Sequence, residues 1–401
     1  MPSHDRGHLT LHSVEFVRCF ASLSVILWHY QFYFFPHPPP RSTLPLALPL
    51  SLFYNSGFWA DQWLWVLSGY IFFFTYRDVL ETNRLSGTQF FLRRVARLYP
   101  LHATTLLLAA LLLYLYYCLF AAQYWFYVPS SWFAFFMLQL FMASNWFSSE
   151  YTFNGPIWSV SVEILIYILF FFTTKYFPLE RIMKTLVVFI FSAILYVIII
   201  QVTHGRINFM IWIAQCAVCF YLGGIIYEIK TKYSAFVSPM TAKSVFLWTT
   251  IVSAVVVCYS LRPTYATAFA IPAVAILLIV SIDMIEKSKF VSRISWIGNM
   301  TYGSYLLQFP VALCMVIVMN ISGINLQVAY SPAFLGVYVV TVFTLAALSY
   351  PFFEAPARRA LTAMIRPVSN NPLKPAPGSG LWPARERAPP SARSTPVKRS
   401  R

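Results

Sequence analysis

Residues 183–203 read MKTLVVFIFSAILYVIIIQVT, and no charged residue follows Lys184 in that run. A helix needs about 20 apolar residues to cross the hydrocarbon of a bilayer. This stretch meets that length without help from its neighbours. Comparable apolar segments lie at 12–35, 57–76, 99–121, 156–174, 207–229, 244–261, 266–284, 298–321 and 331–353. Over all 401 residues, 59% are hydrophobic, 18% aromatic and only 10% charged. A soluble chain would carry about 25% charged residues. The deficit excludes an ordinary cytosolic enzyme, a disordered protein and a nucleic-acid binder that folds in water. The expected fold is an all-α polytopic membrane protein with about ten transmembrane helices.

The segment 124–147 is less regular. It is rich in Trp, Tyr and Phe, and Pro129, Ser130 and Ser131 interrupt it. Counting it as a span gives eleven helices. The net charge of +16 decides between the counts, because Lys and Arg collect in cytoplasmic loops. With ten spans and a cytoplasmic N-terminus, one side holds Arg77, Arg84, Arg93, Arg94, Arg97, Lys175, Arg181, Lys184, Lys230, Lys232, Lys243, Lys287, Lys289 and Arg293. The basic tail falls on that side too. Only Arg41, Arg206 and Arg262 fall outside. Eleven spans would move every later cluster outward. Segment 124–147 therefore reads as a re-entrant or interfacial aromatic segment on the outer side.

The chain divides into a cytoplasmic N-terminus at 1–11, a membrane domain at 12–360 and a disordered basic cytoplasmic tail at 361–401. The tail's Pro, Ser, Ala and Arg carry no apolar period. The first eleven residues are polar and no small-residue cleavage site follows, so the first apolar run reads as a retained span. The expected location is the inner or plasma membrane, with both termini in the cytoplasm. Pro36, Pro38, Pro39 and Pro40 stiffen an outer link between the first two spans. The six cysteines sit in apolar stretches. The CxxC pair Cys216 and Cys219 has no second pair and no nearby His, so it reads as buried hydrophobes, with no metal expected.

Ionisable groups inside spans cost about 2.5–3.5 kcal/mol each on insertion scales and default to functional candidates. Here they are Glu15, Arg18 and His29 in span one, Asp61 in span two and Glu163 in span four. Arg18 and His29 are eleven residues apart, about 20° out of phase and roughly 16 Å apart along the axis, so they share a helix face. Arg18 also reads as a snorkelling anchor paired with Glu15, and His29 as an interfacial histidine. His29 and Glu163 lie roughly 9 and 10 Å below the outer ends of their helices. At one level, a carboxylate would orient the imidazole and raise its basicity. The bland alternative is a buried pair holding helices one and four together. Ser159 and Tyr167 flank Glu163 by one turn each way.

Five stretches together resemble the membrane acyltransferase 3 family, the polytopic O-acetylases and related acyltransferases of glycans and other acceptors. They are Glu15-Phe16-Val17-Arg18 through His29, Trp65-Val66-Leu67-Ser68-Gly69-Tyr70, Arg93-Arg94-Val95-Ala96-Arg97-Leu98-Tyr99-Pro100, Asn154-Gly155-Pro156-Ile157-Trp158-Ser159-Val160-Ser161-Val162-Glu163, and Gly298-Asn299-Met300-Thr301-Tyr302-Gly303-Ser304-Tyr305-Leu306 with Pro310 and Glu354-Ala355-Pro356. The resemblance covers about residues 9–360. Two positions depart from it. Gln308 stands where the family often has His, and Gln62, preceded by Asp61, stands where it often has Asp.

The resemblance implies a cytosolic acyl-CoA donor, commonly acetyl-CoA, and an acceptor hydroxyl on a carbohydrate or glycolipid across the membrane. It implies no permanently bound cofactor. On this reading Arg18, Arg94 and Arg97 bind the donor, because Arg forks suit phosphates. His29 is the general base or a transient acyl carrier, and Glu163 orients it. Partners are then the lipid bilayer, acyl-CoA and the acceptor, with no nucleic acid. The rival classes are a transporter or flippase using His29 and Glu163 as a proton relay, and an inactive scaffold in a glycan-assembly complex. The absence of internal repeats weighs against the transporter.

Overall fold

The computed structural model describes residues 12–125, 132–204, 206, 208–233 and 295–365. These all fall within the compact unit Leu11–Ile365. The expected spans 244–261 and 266–284 lie outside the described residues, as do residues 1–11 and 366–401.

The described chain is helical. The elements are α1 (His12–Tyr33), α2 (Ser51–Ser56), α3 (Ala60–Glu81), α4 (Gly87–Phe120), α5 (Trp132–Leu140), α6 (Ile157–Tyr176), α7 (Arg181–Val202) and α8 (Phe209–Tyr233). After the undescribed stretch come α9 (Thr301–Ile321), α10 (Pro332–Ser349) and α11 (Ala355–Met364). Among the described residues, six stretches are long and apolar enough to cross a membrane: Gly87–Phe120, Ile157–Tyr176, Arg181–Val202, Phe209–Lys232, Ile297–Ile321 and Pro332–Met364. The protein is a multi-pass membrane protein. Helices α1 and α3 have 22 residues each, the length of a span. Their Glu15, Arg18, Asp61, Arg77, Asp78 and Glu81 make them more polar than the six.

Two elements differ from the sequence-based boundaries. The third span begins not at 99 but at Gly87, giving a helix of 34 residues. Ser86 and Gln89 form a capping box, each side chain bonding the other's backbone N–H at 3.2 Å, which fixes the start. Pro100 is carried inside this helix, so the arginine turn before it is helical rather than loop. The aromatic segment contributes only the nine-residue α5. At 1.5 Å per residue it reaches about 14 Å, less than half the hydrocarbon thickness, so it cannot cross alone.

Two aromatic cores form the body. One joins α3, α6 and α8 around Phe72, Phe73, Phe170 and Phe220, with Cys216 and Cys219 packed into it. The other joins α1, α4, α9 and α10 around Tyr30, Phe34, Phe309 and Tyr338. Helices α7 and α10 turn large apolar side chains outward, among them Phe191, Ile194, Val337 and Val340, as lipid-facing helices do.

The first core depends on a close helix crossing. A Cβ on Gly69 of α3 would run into the Phe220 carbonyl oxygen of α8, and one on Gly223 would run into the Val66 carbonyl oxygen. The two backbones therefore touch, which only glycine permits. Gly69→Val and Gly223→Val are each expected to destabilise the protein by about 1–3 kcal/mol through overpacking. Thermal unfolding in detergent, followed by tryptophan fluorescence, should show a lower melting temperature for both. Gly336→Ala, within α10 where a Cβ would meet open space, should not lower it, since Ala is the better helix former.

Candidate active site

Beside the first core, where it meets a smaller apolar cluster that includes Val25, Val160 and Tyr305, lies a cavity of about 100 Å³. Its polar lining comes from five helices: Arg18 of α1, Ser68 of α3, Arg94 and Arg97 of α4, Ser159, Glu163 and Tyr167 of α6, and Thr301, Tyr302 and Tyr305 at the start of α9. The capping box sets the register of α4, and Arg94 and Arg97, three residues apart, share its inward face. Arg93 is not among the lining residues.

Three of the four charges in this lining are held by different devices. Arg18 pairs with Glu15 one turn earlier, at 3.2 Å. Arg94 donates to the Tyr76 hydroxyl and lies over the rings of Phe72 and Tyr76, 4.9 and 4.6 Å from their centroids. Such stacking suits a guanidinium, which is weakly hydrated. The hydroxyls of Ser68 and Tyr167 stand beside the Glu163 carboxyl. Its Oε1 is buried with no hydrogen-bond partner. A buried carboxylate oxygen left open is an acceptor waiting for a donor.

A smaller cavity of about 60 Å³ adjoins the first and shares Arg18, Arg97 and Tyr302 with it. Its other polar groups are Glu15, Asn299, Tyr350, Glu354 and Arg358. Gly298 is required there, because a Cβ would collide with the Glu15 carboxylate. Glu354 ends a π-helical turn at Tyr350–Glu354, an irregularity that recurs at functional sites. Tyr302 donates to the Leu98 carbonyl at 2.9 Å, tying α9 to α4 where the cavities meet.

His29 occupies a different place. Its Nδ1 lies 2.9 Å from the Val25 carbonyl oxygen one turn back, so Nδ1 carries the proton. Its ring stacks on Tyr33 at 5.3 Å. It does not line the arginine cavity, and among the described residues it forms no ion pair with Glu163. The contact expected from their equal depth is absent. Glu163 is grouped instead with Arg18, Arg94 and Arg97, which the sequence placed toward the opposite end. The Val25 carbonyl, not Glu163, orients the imidazole.

Asp61 and Tyr305 were not joined by the sequence. Asp61 accepts from the Tyr305 hydroxyl at 3.0 Å, and Ser159 Oγ lies 2.6 Å from that hydroxyl. Tyr305 stood in one quoted stretch and Ser159 in another, so the signal was the stretches themselves. Gln308 is fully buried in the second core's helix α9, where its Nε2 donates to the Tyr305 carbonyl. It does not line the cavity.

The loop leading into α6 is braced by Gln139 of α5. Gln139 donates to the Thr152 and Asn154 carbonyls at 2.8 and 3.2 Å, and its Oε1 accepts from the Asn154 N–H at 3.1 Å. His102 of α4 donates to the Gln139 carbonyl at 2.6 Å. Asn154 then donates to the Leu306 carbonyl at 3.0 Å, linking the loop to α9 beside Tyr305.

A polytopic helical protein that gathers three guanidiniums and an open carboxylate in one internal cavity fits a membrane-embedded transferase. The acyltransferase domain model of the acyltransferase 3 family matches residues 11–350, and the chain belongs to that family. It is a membrane acyltransferase. Neither a curated protein nor a solved structure matches it.

Gln139→Leu removes three of the bonds that brace the α6 entry and leaves buried backbone groups unpaired. At about 1–3 kcal/mol for such groups, the variant should melt several degrees lower in detergent. Proteolysis should also cut first within 148–156.

Proposed function

We propose that this acyltransferase moves an acyl group, with acetyl as the default, from cytosolic acyl-CoA to a hydroxyl of a carbohydrate acceptor presented on the other side of the membrane. The acceptor is an exopolysaccharide, a lipopolysaccharide sugar or a similar glycan. The observation that carries this reading is the arginine cavity. Three guanidiniums from two helices converge on a cavity of about 100 Å³ that a neighbouring vestibule of about 60 Å³ adjoins. Guanidinium forks match the phosphates of a CoA ester.

The orientation follows from the same charges. The ends of α3, α7 and α8 meet in one ion-pair cluster in which Arg77, Arg181 and Lys184 pair with Asp78, Glu81 and Glu228. This basic end faces the cytoplasm by the positive-inside rule, with both termini there, in the inner or plasma membrane. The donor enters through the vestibule of Glu354 and Arg358, passes Arg18 and Arg97, and lays its thioester against the cavity wall.

His29 serves the acceptor. With Nδ1–H donating to Val25, Nε2 keeps its lone pair and takes the hydroxyl proton as the acceptor attacks. Glu163 acts from the cavity wall, where its open Oε1 accepts a hydrogen bond from the incoming acceptor. The partners of the reaction are the bilayer, acyl-CoA and the glycan, with no resident cofactor.

The test is acceptor-dependent release of free thiol from acetyl-CoA by the protein in proteoliposomes, with acetylated glycan detected by mass spectrometry. His29→Ala is expected to lower transfer about 10²–10⁴-fold, the usual contribution of a positioned base. Arg97→Gln should raise KM for the donor far more than it lowers kcat. Wild-type transfer by His29→Ala would remove that residue's role. Movement of unmodified glycan across the membrane without thiol release would replace the reading with transport.

A further inference from the structure

The wall of the arginine cavity holds a chain of three side chains that the scheme above leaves unused. Tyr305 donates its hydroxyl proton to Asp61 Oδ1 at 3.0 Å. Ser159 Oγ lies 2.6 Å from the same hydroxyl. Since the Tyr305 proton is directed at Asp61, the bond to Ser159 runs the other way, with Ser159 donating to the Tyr305 oxygen. Ser159, Tyr305 and Asp61 are 5%, 3% and 4% exposed, so water does not compete for these bonds.

The order of the chain matters. Ser159 and Tyr305 line the same cavity as Arg18, Arg94 and Arg97, while Asp61 does not. A hydroxyl facing the substrate space, a second hydroxyl behind it and a buried carboxylate at the end form the sequence nucleophile, proton acceptor, orienting anion. Two helix ends reinforce it. Ser159 stands in the first turn of α6, where the positive end of the helix dipole favours a developing oxyanion. Asp61 stands in the first turn of α3, where the same effect favours its carboxylate.

We propose that Ser159 carries the acyl group covalently between donor and acceptor. The proposal rests on acyl-CoA being the donor. In the first step Ser159 Oγ attacks the thioester carbon. Its proton passes to the Tyr305 oxygen as the Tyr305 proton passes to Asp61 Oδ1. The tetrahedral intermediate collapses by breaking the carbon–sulfur bond. CoA leaves as thiolate and takes a proton from water on the cytoplasmic side. In the second step the acceptor hydroxyl attacks the Ser159 ester, giving its proton through one intervening water to His29, which stands outside the cavity wall. The bond to Ser159 breaks, and the proton held by Asp61 returns through Tyr305 to Ser159 Oγ. His29 then releases its proton to solvent. Atoms and charge balance without a further reactant. A carrier at this position explains how a donor and an acceptor that never share one compartment exchange a group.

Tyr305 and Asp61 act through Ser159 and are positioning residues in this scheme. The experiment mixes the full-length protein in detergent with acetyl-CoA labelled in the acetyl group, without acceptor. Samples are quenched rapidly in acid, digested and analysed by mass spectrometry. The expected result is an acetyl adduct on the peptide holding Ser159, formed with one equivalent of free thiol and discharged when glycan is added. Ser159→Ala should form no adduct and transfer at least 10²-fold more slowly. Tyr305→Phe should form the adduct 10²–10⁴-fold more slowly with donor KM unchanged, a split that a purely structural hydroxyl would not give. Ser159→Cys keeps a nucleophile and should still take up label. An adduct on another residue, His29 included, overturns the proposal. So does wild-type transfer by Ser159→Ala, or glycan-dependent thiol release with no adduct on Ser159 at any quench time. Absence of thiol release under every condition would instead overturn the acyl-CoA reading, and the carrier with it.

Discussion

A charge placed among membrane helices must be solvated by the protein that holds it, because hydrocarbon offers nothing. That constraint organises this molecule. Arg18 takes Glu15, Arg94 takes two aromatic faces and a phenol, and Glu163 takes two hydroxyls. Arg18 meets the constraint within α1, Arg94 meets it on α3, and Glu163 meets it on α3 and its own α6, so the constraint joins α3, α4 and α6. The first aromatic core closes one side of the cavity with Trp65, Phe72 and Tyr167. The cavity is the space left where polar groups had to be satisfied and apolar side chains could not enter.

The sequence made the broad architecture legible because lipid solvation leaves a long, one-dimensional signature. Residues 183–203 announce a span by themselves, and α7 occupies Arg181–Val202. The start of α4 was harder. Its first turns carry Arg93, Arg94 and Arg97, which a hydropathy reading treats as loop, while the decisive signal was local: Ser86 and Gln89 in a capping box. The aromatic segment reads as membrane-seeking by composition, but its described helix is short and anchored by polar bonds from His102 and Gln139.

The candidate site was legible as a set of residues and not as an arrangement. Helical rise gives depth, so placing His29 and Glu163 at one level was sound arithmetic. Depth says nothing of which way a side chain faces around its helix. That second coordinate is set by packing, and packing directs Glu163 into the arginine cavity while His29 folds back onto the Val25 carbonyl. The link between Asp61 and Tyr305 spans 244 positions in sequence. No periodicity reaches that far. The motif stretches hinted at it only by carrying Ser159 and Tyr305 into the same list.

Pro100 gives α4 a property that a simple span would lack. Lacking an N–H, it leaves the Ala96 carbonyl without its usual partner one turn earlier. The gap falls between Arg97, in the cavity, and His102, which is fastened to Gln139. The rod therefore carries a weakened turn between its arginine-bearing third and its anchored remainder. A bend at that turn would carry the arginine turn and Leu98, with the Tyr302 that bonds it, relative to the segment braced by Gln139, and would rupture no intact bond of the ladder.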